Sequence, residues 1–150
     1  DDLNAATRWS GATAGNGNGV VGGKYNATCA TATDESCQWW DHLRRAGFVA
    51  GNGKSQPFNA VTGIIGVQTG DGAATTGTAM GGFAGLIVCS AGLPDKIAIA
   101  VDTQMDDGTI GTGTVRGQLQ SAPNPDIATA AASSAYAETG VNVYTLCRAL

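Results

Sequence analysis

The chain has 150 residues, a length that favours a single domain covering residues 1–150. Its formal net charge is −4 at pH 7, and it carries only eight Lys and Arg residues. A nucleic-acid partner is therefore not expected, because a phosphate backbone is bound by a basic patch. A membrane-spanning helix is not expected either, because no apolar stretch reaches about 18 residues.

The hydrophobic core of this domain is predicted to be small. Leu, Ile, Val and Phe together supply 27 residues, and 25 alanines make up much of the apolar fraction of 43%. The low net charge nevertheless argues against a disordered chain. The composition thus predicts a folded, loop-rich domain that covalent cross-links help to stabilise.

Four cysteines, an even number, indicate disulfide bonds formed in an oxidising compartment. Zinc is disfavoured because its cysteine ligands usually come in close pairs such as Cys-x2-Cys. Three pairings are open; we favour Cys29 with Cys37, which are local, and Cys89 with Cys147, which both lie in strand-like segments. In the chain-entropy model these bridges contribute about 2.5 and about 4 kcal/mol, respectively.

The first third of the chain predicts a loop followed by a helix. Residues 10–23 are rich in glycine and show little periodicity, which is typical of a loop. A helix capped by Thr33 or Asp34 is predicted to run to about Ala46, with Gly47 as its stop. Its apolar face is expected to contain Trp39, Trp40, Leu43 and Ala46.

The rest of the chain predicts strands and one more helix. Strands are expected at residues 61–68, 83–89, 112–119 and 143–150, with a glycine- and threonine-rich loop at 70–82. A helix is expected at 93–105, with Pro94 in its first turn and apolar residues at four-residue spacing. The alanine-rich stretch before the last strand is given no state. This order predicts an α+β domain with short helices packed on an antiparallel sheet.

Catalytic residues are not predicted, and the chain is interpreted as a non-enzyme. His42 is the only histidine, and we interpret it as a partly exposed helix residue, because the cysteines that could pair with it are expected in disulfides. Asp34 and Glu35 could form the acid pair of a hydrolase. They are better explained as residues that favour a helix start.

Three acidic residues near the end of the second helix are the candidate calcium ligands. Asp102, Asp106 and Asp107 are close in sequence, and their carboxylates would repel one another unless they were solvated, hydrogen-bonded or bound to a metal. No other metal or cofactor is predicted.

Four runs of the chain resemble a known family. They are residues 38–49 (QWWDHLRRAGFV), 96–108 (KIAIAVDTQMDDG), 112–116 (TGTVR) and 144–147 (YTLC). They are similar, in the same order, to the W-x-H-L-x-x-A-G and D-x-x-x-D-D-G…T-G-x-V-R runs of bacterial type IV pilins and type II secretion pseudopilins. The resemblance covers the chain from about Cys37 to its C-terminus.

The resemblance implies the head domain of a pilus or pseudopilus filament at the cell surface, assembled from the inner membrane and periplasm. Its partners would be copies of itself and other pilin-like subunits. A long apolar helix would precede Asp1 and anchor the full-length subunit in the inner membrane, and residues 1–8 would be its stub. In this family a C-terminal disulfide closes the D-region, and Cys89 and Cys147 match it.

An alternative function from a different class also fits the sequence. A secreted module could bind a glycan or calcium through the glycine-rich loops, with an aromatic side chain stacking on a sugar. The candidates for that contact are Trp9, Trp39 and Trp40.

Overall fold

The structure is a computed structural model that describes residues 2–73, 79–127 and 135–150. Within these residues lie the helices α1 (Ala5–Arg8), α2 (Glu35–Arg45) and α3 (Asp95–Met105), and the strands β1 (Ile65–Thr69), β2 (Leu86–Pro94), β3 (Val115–Leu119) and β4 (Val143–Ala149). The predicted α+β class with an antiparallel sheet is confirmed. The alanine-rich residues 128–134, and residues 74–78 of the predicted loop, lie outside the described part.

The four strands form one sheet in the order β1-β2-β4-β3, and every neighbouring pair is antiparallel. The C-terminal strand β4 therefore lies inside the sheet and pairs along both of its edges. In the β2–β4 register Cys89 lies opposite Cys147, and in the β3–β4 register Gly117 lies opposite Leu146. The end of the chain is thus among the best-anchored parts of the fold.

Burial alternates along β2, as expected for a strand with two different faces. Ile87, Cys89 and Ala91 are fully buried on one face. They belong to a core cluster that also contains Tyr25, Ala79, Met80, Phe83, Ile127 and Cys147. On the other face, Leu86 and Val88 are half-buried against a smaller cluster of Val21, Trp40 and Val67, and this cluster joins α2 to the sheet.

Strand β2 is longer than the predicted strand at 83–89, because a β-bulge lets it continue. Its pairing with β4 shifts between Ser90 and Leu93, and Gly92 has a φ of +72°, which favours glycine. After the bulge Leu93 turns into a second core cluster with Ala98, Ile110, Val115, Tyr144 and Leu146. Helix α3 consequently begins at Asp95, and Pro94 precedes the helix instead of lying in its first turn.

Strand β1 is shorter than predicted because the side chain of Asn59 holds the preceding residues in a turn. Its Oδ1 accepts hydrogen bonds from the amides of Val61 and Gly63, at 3.0 and 2.8 Å. Its Nδ2 donates to the carbonyl of Ala91 at 2.7 Å. Regular pairing with β2 therefore begins only at Ile65.

Helix α2 lies close to its predicted position, but two details differ. Asp34 occupies the N-cap position without a capping hydrogen bond from its side chain. Ala46, expected on the apolar face, lies just beyond the helix and is exposed. The helix packs mainly through Trp40, whose side chain is 5% exposed.

Gly66 of β1 offers a test of how tightly the sheet packs against the N-terminal loops. A Cβ at this position would lie 2.1 Å from the carbonyl oxygen of Tyr25, so Gly66→Ala forces backbone apart. We expect a loss of about 1–3 kcal/mol in the free energy of unfolding, measured by urea titration. Gly85→Ala is the matched control, because a Cβ there meets no atom within 4 Å. Equal losses for the two variants would contradict this packing.

Candidate functional site

Two disulfide bonds cross-link the domain, and they have the pairing that the sequence favoured. Cys29 is bonded to Cys37 across a separation of 8 residues, and Cys89 to Cys147 across 58. Cys89 and Cys147 are fully buried and join neighbouring strands, so the longer bridge fixes the β2–β4 register. Such bonds persist in an oxidising environment, which indicates a compartment outside the cytoplasm.

Removal of each bridge should cost stability in proportion to the loop it closes. The double variant Cys89→Ala with Cys147→Ala should lose about 4 kcal/mol of unfolding free energy, because its loop is long. The double variant Cys29→Ala with Cys37→Ala is the control, with an expected loss of about 2.5 kcal/mol. Urea unfolding of both proteins measures the difference. The reverse order of losses would show that the β2–β4 bridge does not dominate.

Asp95, the first residue of α3, ties the segment before β4 to the helix. Its Oδ2 accepts hydrogen bonds from the amides of Thr139 and Gly140, both at 2.7 Å, and its Oδ1 accepts one from the amide of Lys96 at 2.8 Å. The hydrogen bond from Gly140, above all, lowers the pKa of this buried carboxyl below its usual value. The sequence predicted Asp95 only as a favourable helix start, because its partners lie more than 40 residues away.

The lowered pKa of Asp95 predicts a pH-dependent contribution to stability. Because its folded-state pKa lies below 3.8, the ionised form stabilises the fold above that pH and the contribution is lost as the pH falls. Asp95→Asn should therefore unfold at lower temperature than the wild type at pH 7, and the gap should close well below pH 3.8. Thermal melts across this pH range measure it.

Asp126→Asn, at an exposed ion pair with Lys24, serves as the comparison. It should have little effect at either pH, because exposed ion pairs contribute little. A gap between the wild type and Asp95→Asn that persists in acid would contradict the role assigned to Asp95.

The three candidate calcium ligands are brought together at the end of α3. One carboxylate oxygen from each of Asp102, Asp106 and Asp107 lies within 4.8 Å of the other two. Asp102 is fully buried, Asp106 is half-buried and Asp107 is exposed. The cluster thus extends from the interior to the surface.

Burial and hydrogen bonding act differently on these carboxyls. Desolvation, followed by the charges of Asp107 and Asp106, raises the pKa of Asp102, although the Tyr136 hydroxyl that donates to it acts the other way. The hydroxyl of Thr112, donating at 2.6 Å, is the largest cause that lowers the pKa of Asp107. Burial also raises the pKa of Tyr136.

His42 is buried, which corrects the expectation of a partly exposed helix residue. The N-terminal residues fold over it: the Asp2 amide donates to Nδ1 at 3.1 Å, and Nε2 contacts the Thr13 carbonyl oxygen at 2.8 Å. The ring of Trp9 stacks on it at 6.0 Å. Both ring nitrogens therefore bind backbone groups, which is a structural role.

Glu35 also holds a loop in place. Its two carboxylate oxygens accept hydrogen bonds from the amides of Asn16 and Gly22, at 2.9 and 3.0 Å, so the carboxylate pins the glycine-rich segment to the start of α2. This arrangement explains the acidic residue at the helix start more fully than propensity alone.

The tryptophans proposed for glycan stacking differ in their access to solvent. Trp40 is 5% exposed and packs in the core, so it cannot stack on a sugar. Trp9 and Trp39 are half-buried and border a pocket of about 220 Å³ together with Arg8, His42 and Phe48. Only these two offer an aromatic surface.

Large apolar side chains lie on the surface in unusual number for so small a core. Seven of the 27 Leu, Ile, Val and Phe residues are exposed, namely Leu3, Phe48, Phe58, Ile97, Leu119, Val141 and Leu150. Met105 at the end of α3 is 44% exposed. It borders an apolar groove of about 360 Å³ between α3 and the sheet, which Val88, Val101 and Leu150 also line.

Comparison of the chain with family models, with curated proteins and with solved structures gave no match. Among the described residues, no helix has both the length and the apolar character needed to cross a membrane.

Proposed function

We propose that this chain is the head domain of a structural subunit of a bacterial type IV pilus or pseudopilus, which acts by self-assembly and not by catalysis. The four pilin-like runs fall on α2, on α3 with the loop after it, on the start of β3 and on β4. These elements surround the β2–β4 pair, where a pilin D-region would be closed by its disulfide.

The exposure of large apolar side chains is the observation that carries this proposal. A domain with few such residues gains most stability by burying them, yet Phe48 and Val141 are 81% and 82% exposed. Exposed apolar surface of this kind marks a site of protein contact. In a filament these side chains would be covered by neighbouring subunits.

Two separate apolar areas suit the geometry of a filament. One surrounds Phe48 and the pocket beside α2, and the other is the groove that Met105 borders beside α3. The two areas have no lining residue in common. Contact between different patches of identical subunits is heterologous, and it produces an open helical filament when the rotation does not close.

The internal anchoring of β4 suits a subunit that works outside the cell. The strand is held by pairing on both sides, by the Cys89–Cys147 bridge and, just before it, by Asp95. These restraints keep the outer face of the subunit in shape without a large core. We place the filament at the cell surface, assembled from the inner membrane and periplasm.

Charge introduced into either apolar area should block assembly without unfolding the domain. In the full-length protein expressed in its bacterium, Met105→Glu and Phe48→Glu should each reduce filaments seen by electron microscopy by about tenfold or more, because burying an unpaired charge costs several kcal/mol. Gln104→Glu and Asn52→Glu, at exposed polar neighbours, are the matched controls. Circular dichroism melts of all four domains should agree with the wild type.

Normal filaments from both apolar-site variants would overturn the assignment of these contacts. The gene sequence upstream of Asp1 tests the class of protein itself: a short leader and an apolar helix of about 20 residues are expected there. A start codon immediately before Asp1 would overturn the proposal.

A further inference from the structure

Helix α3 ends in negative charge where helices usually carry positive charge. The carbonyl end of a helix is the negative end of its dipole, and cations stabilise it. The last turn of α3 has no basic residue, and Asp102, Asp106 and Asp107 converge there. Within the described part of the chain, none of the three forms an ion pair with a Lys, Arg or His side chain within 4.0 Å. The charge of this cluster is therefore uncompensated.

Asp102 is the member of this cluster that most needs a partner. The residue is 0% exposed, and the Tyr136 hydroxyl donates to its Oδ2 at 2.6 Å. Its Oδ1 is buried and has no hydrogen-bond partner among residues 2–73, 79–127 and 135–150. A buried carboxylate oxygen without a donor is costly, and such oxygens are usually bound by a donor or a metal ion.

The other two carboxylates are already held in position by the loop that follows α3. Asp106 accepts hydrogen bonds from the Val115 amide at 2.9 Å and the Thr114 hydroxyl at 3.3 Å. Asp107 accepts them from the Thr109 amide at 2.8 Å and the Thr112 hydroxyl at 2.6 Å. Each carboxylate retains unused lone pairs, because an ionised carboxylate has about four acceptor positions. The oxygen cluster is therefore largely preformed.

A glycine keeps this arrangement possible. Gly113 has a φ of +69°, and a Cβ at this position would lie 1.8 Å from Oδ2 of Asp106. The backbone of the loop thus closes directly against the carboxylate. Any other residue would push Asp106 away from the cluster.

We propose that Asp102, Asp106 and Asp107 form a binding site for a calcium ion that fastens the end of α3 to the loop leading into β3. All three are hard oxygen ligands, and one is buried with a free oxygen, which is what a Ca²⁺ site requires. The ion would also compensate the charge at the end of the helix.

The spacing of the oxygens favours Ca²⁺ over Mg²⁺. Ca²⁺ binds oxygen at about 2.3–2.6 Å, so two of its ligands can be up to about 5 Å apart. Mg²⁺ binds at about 2.0–2.1 Å and demands near-octahedral geometry, which limits opposite ligands to about 4.2 Å. The observed limit of 4.8 Å matches the larger ion without contraction of the site. Backbone carbonyls and water would complete the six to eight oxygens that Ca²⁺ takes, as they do at other sites.

The test uses the 150-residue domain, stripped of metal with EGTA and titrated with CaCl2. Isothermal calorimetry should show one site per chain. For affinities in the range of extracellular calcium modules, about 10 mM Ca²⁺ should raise the melting temperature by about 3 to 10 °C, and EGTA should reverse the rise. MgCl2 at the same concentration should give a clearly smaller shift.

Three variants locate the site. Asp102→Asn and the exposed Asp107→Asn should each abolish the Ca²⁺-dependent rise and the calorimetric signal, whereas Asp126→Asn, at a surface ion pair away from the cluster, should keep both. Asp107→Asn keeps the test valid if the buried variant does not fold. Absence of binding by the wild type would show that Asp102 is simply protonated and would overturn the proposal. An equal shift with Mg²⁺, or an equal loss in Asp126→Asn, would overturn it as well.

Discussion

The pairing of β2 with β4 is the constraint on which the rest of the domain depends. It places the last strand of the chain inside the sheet, and the Cys89–Cys147 bridge fixes its register. Two of the three core clusters contain residues from both strands. A domain with so few large apolar residues cannot rely on core volume alone, so covalent and hydrogen-bonded ties between distant parts of the chain supply the difference.

Helix α3 shows how this economy shapes the surface. Its fully buried positions are Asp95, Ala98 and Asp102, two carboxylates and one methyl group, while Ile97 and Met105 lie partly in solvent. An ordinary amphipathic helix would bury its large side chains. Here the inward carboxylates organise loops, Asp95 at the segment before β4 and Asp102 at the acidic cluster. The outward apolar residues are left for other molecules, which agrees with the proposed role in a filament.

The disulfide pairing could be predicted because it rests on simple spacing: one pair is local and the other lies in two segments of strand character. The helix positions could be predicted from periodicity and glycine stops. Other features could not be predicted, because they depend on contacts across long separations. The turn around Asn59 shortens β1 through hydrogen bonds to its own loop and to Ala91. His42 is buried because the segment containing Asp2 and Thr13 folds over it.

The sequence by itself determined the class of fold, the oxidising compartment, the small core and the acidic cluster as a group worth attention. These follow from composition, periodicity and local spacing, which need no partner elsewhere in the chain. Only the tertiary structure decided that β4 lies inside the sheet, that α3 buries its acids, and that an oxygen of Asp102 lacks a hydrogen-bond partner among the described residues. Those outcomes depend on which distant segments pack together, and burial and hydrogen bonding are properties of that packing.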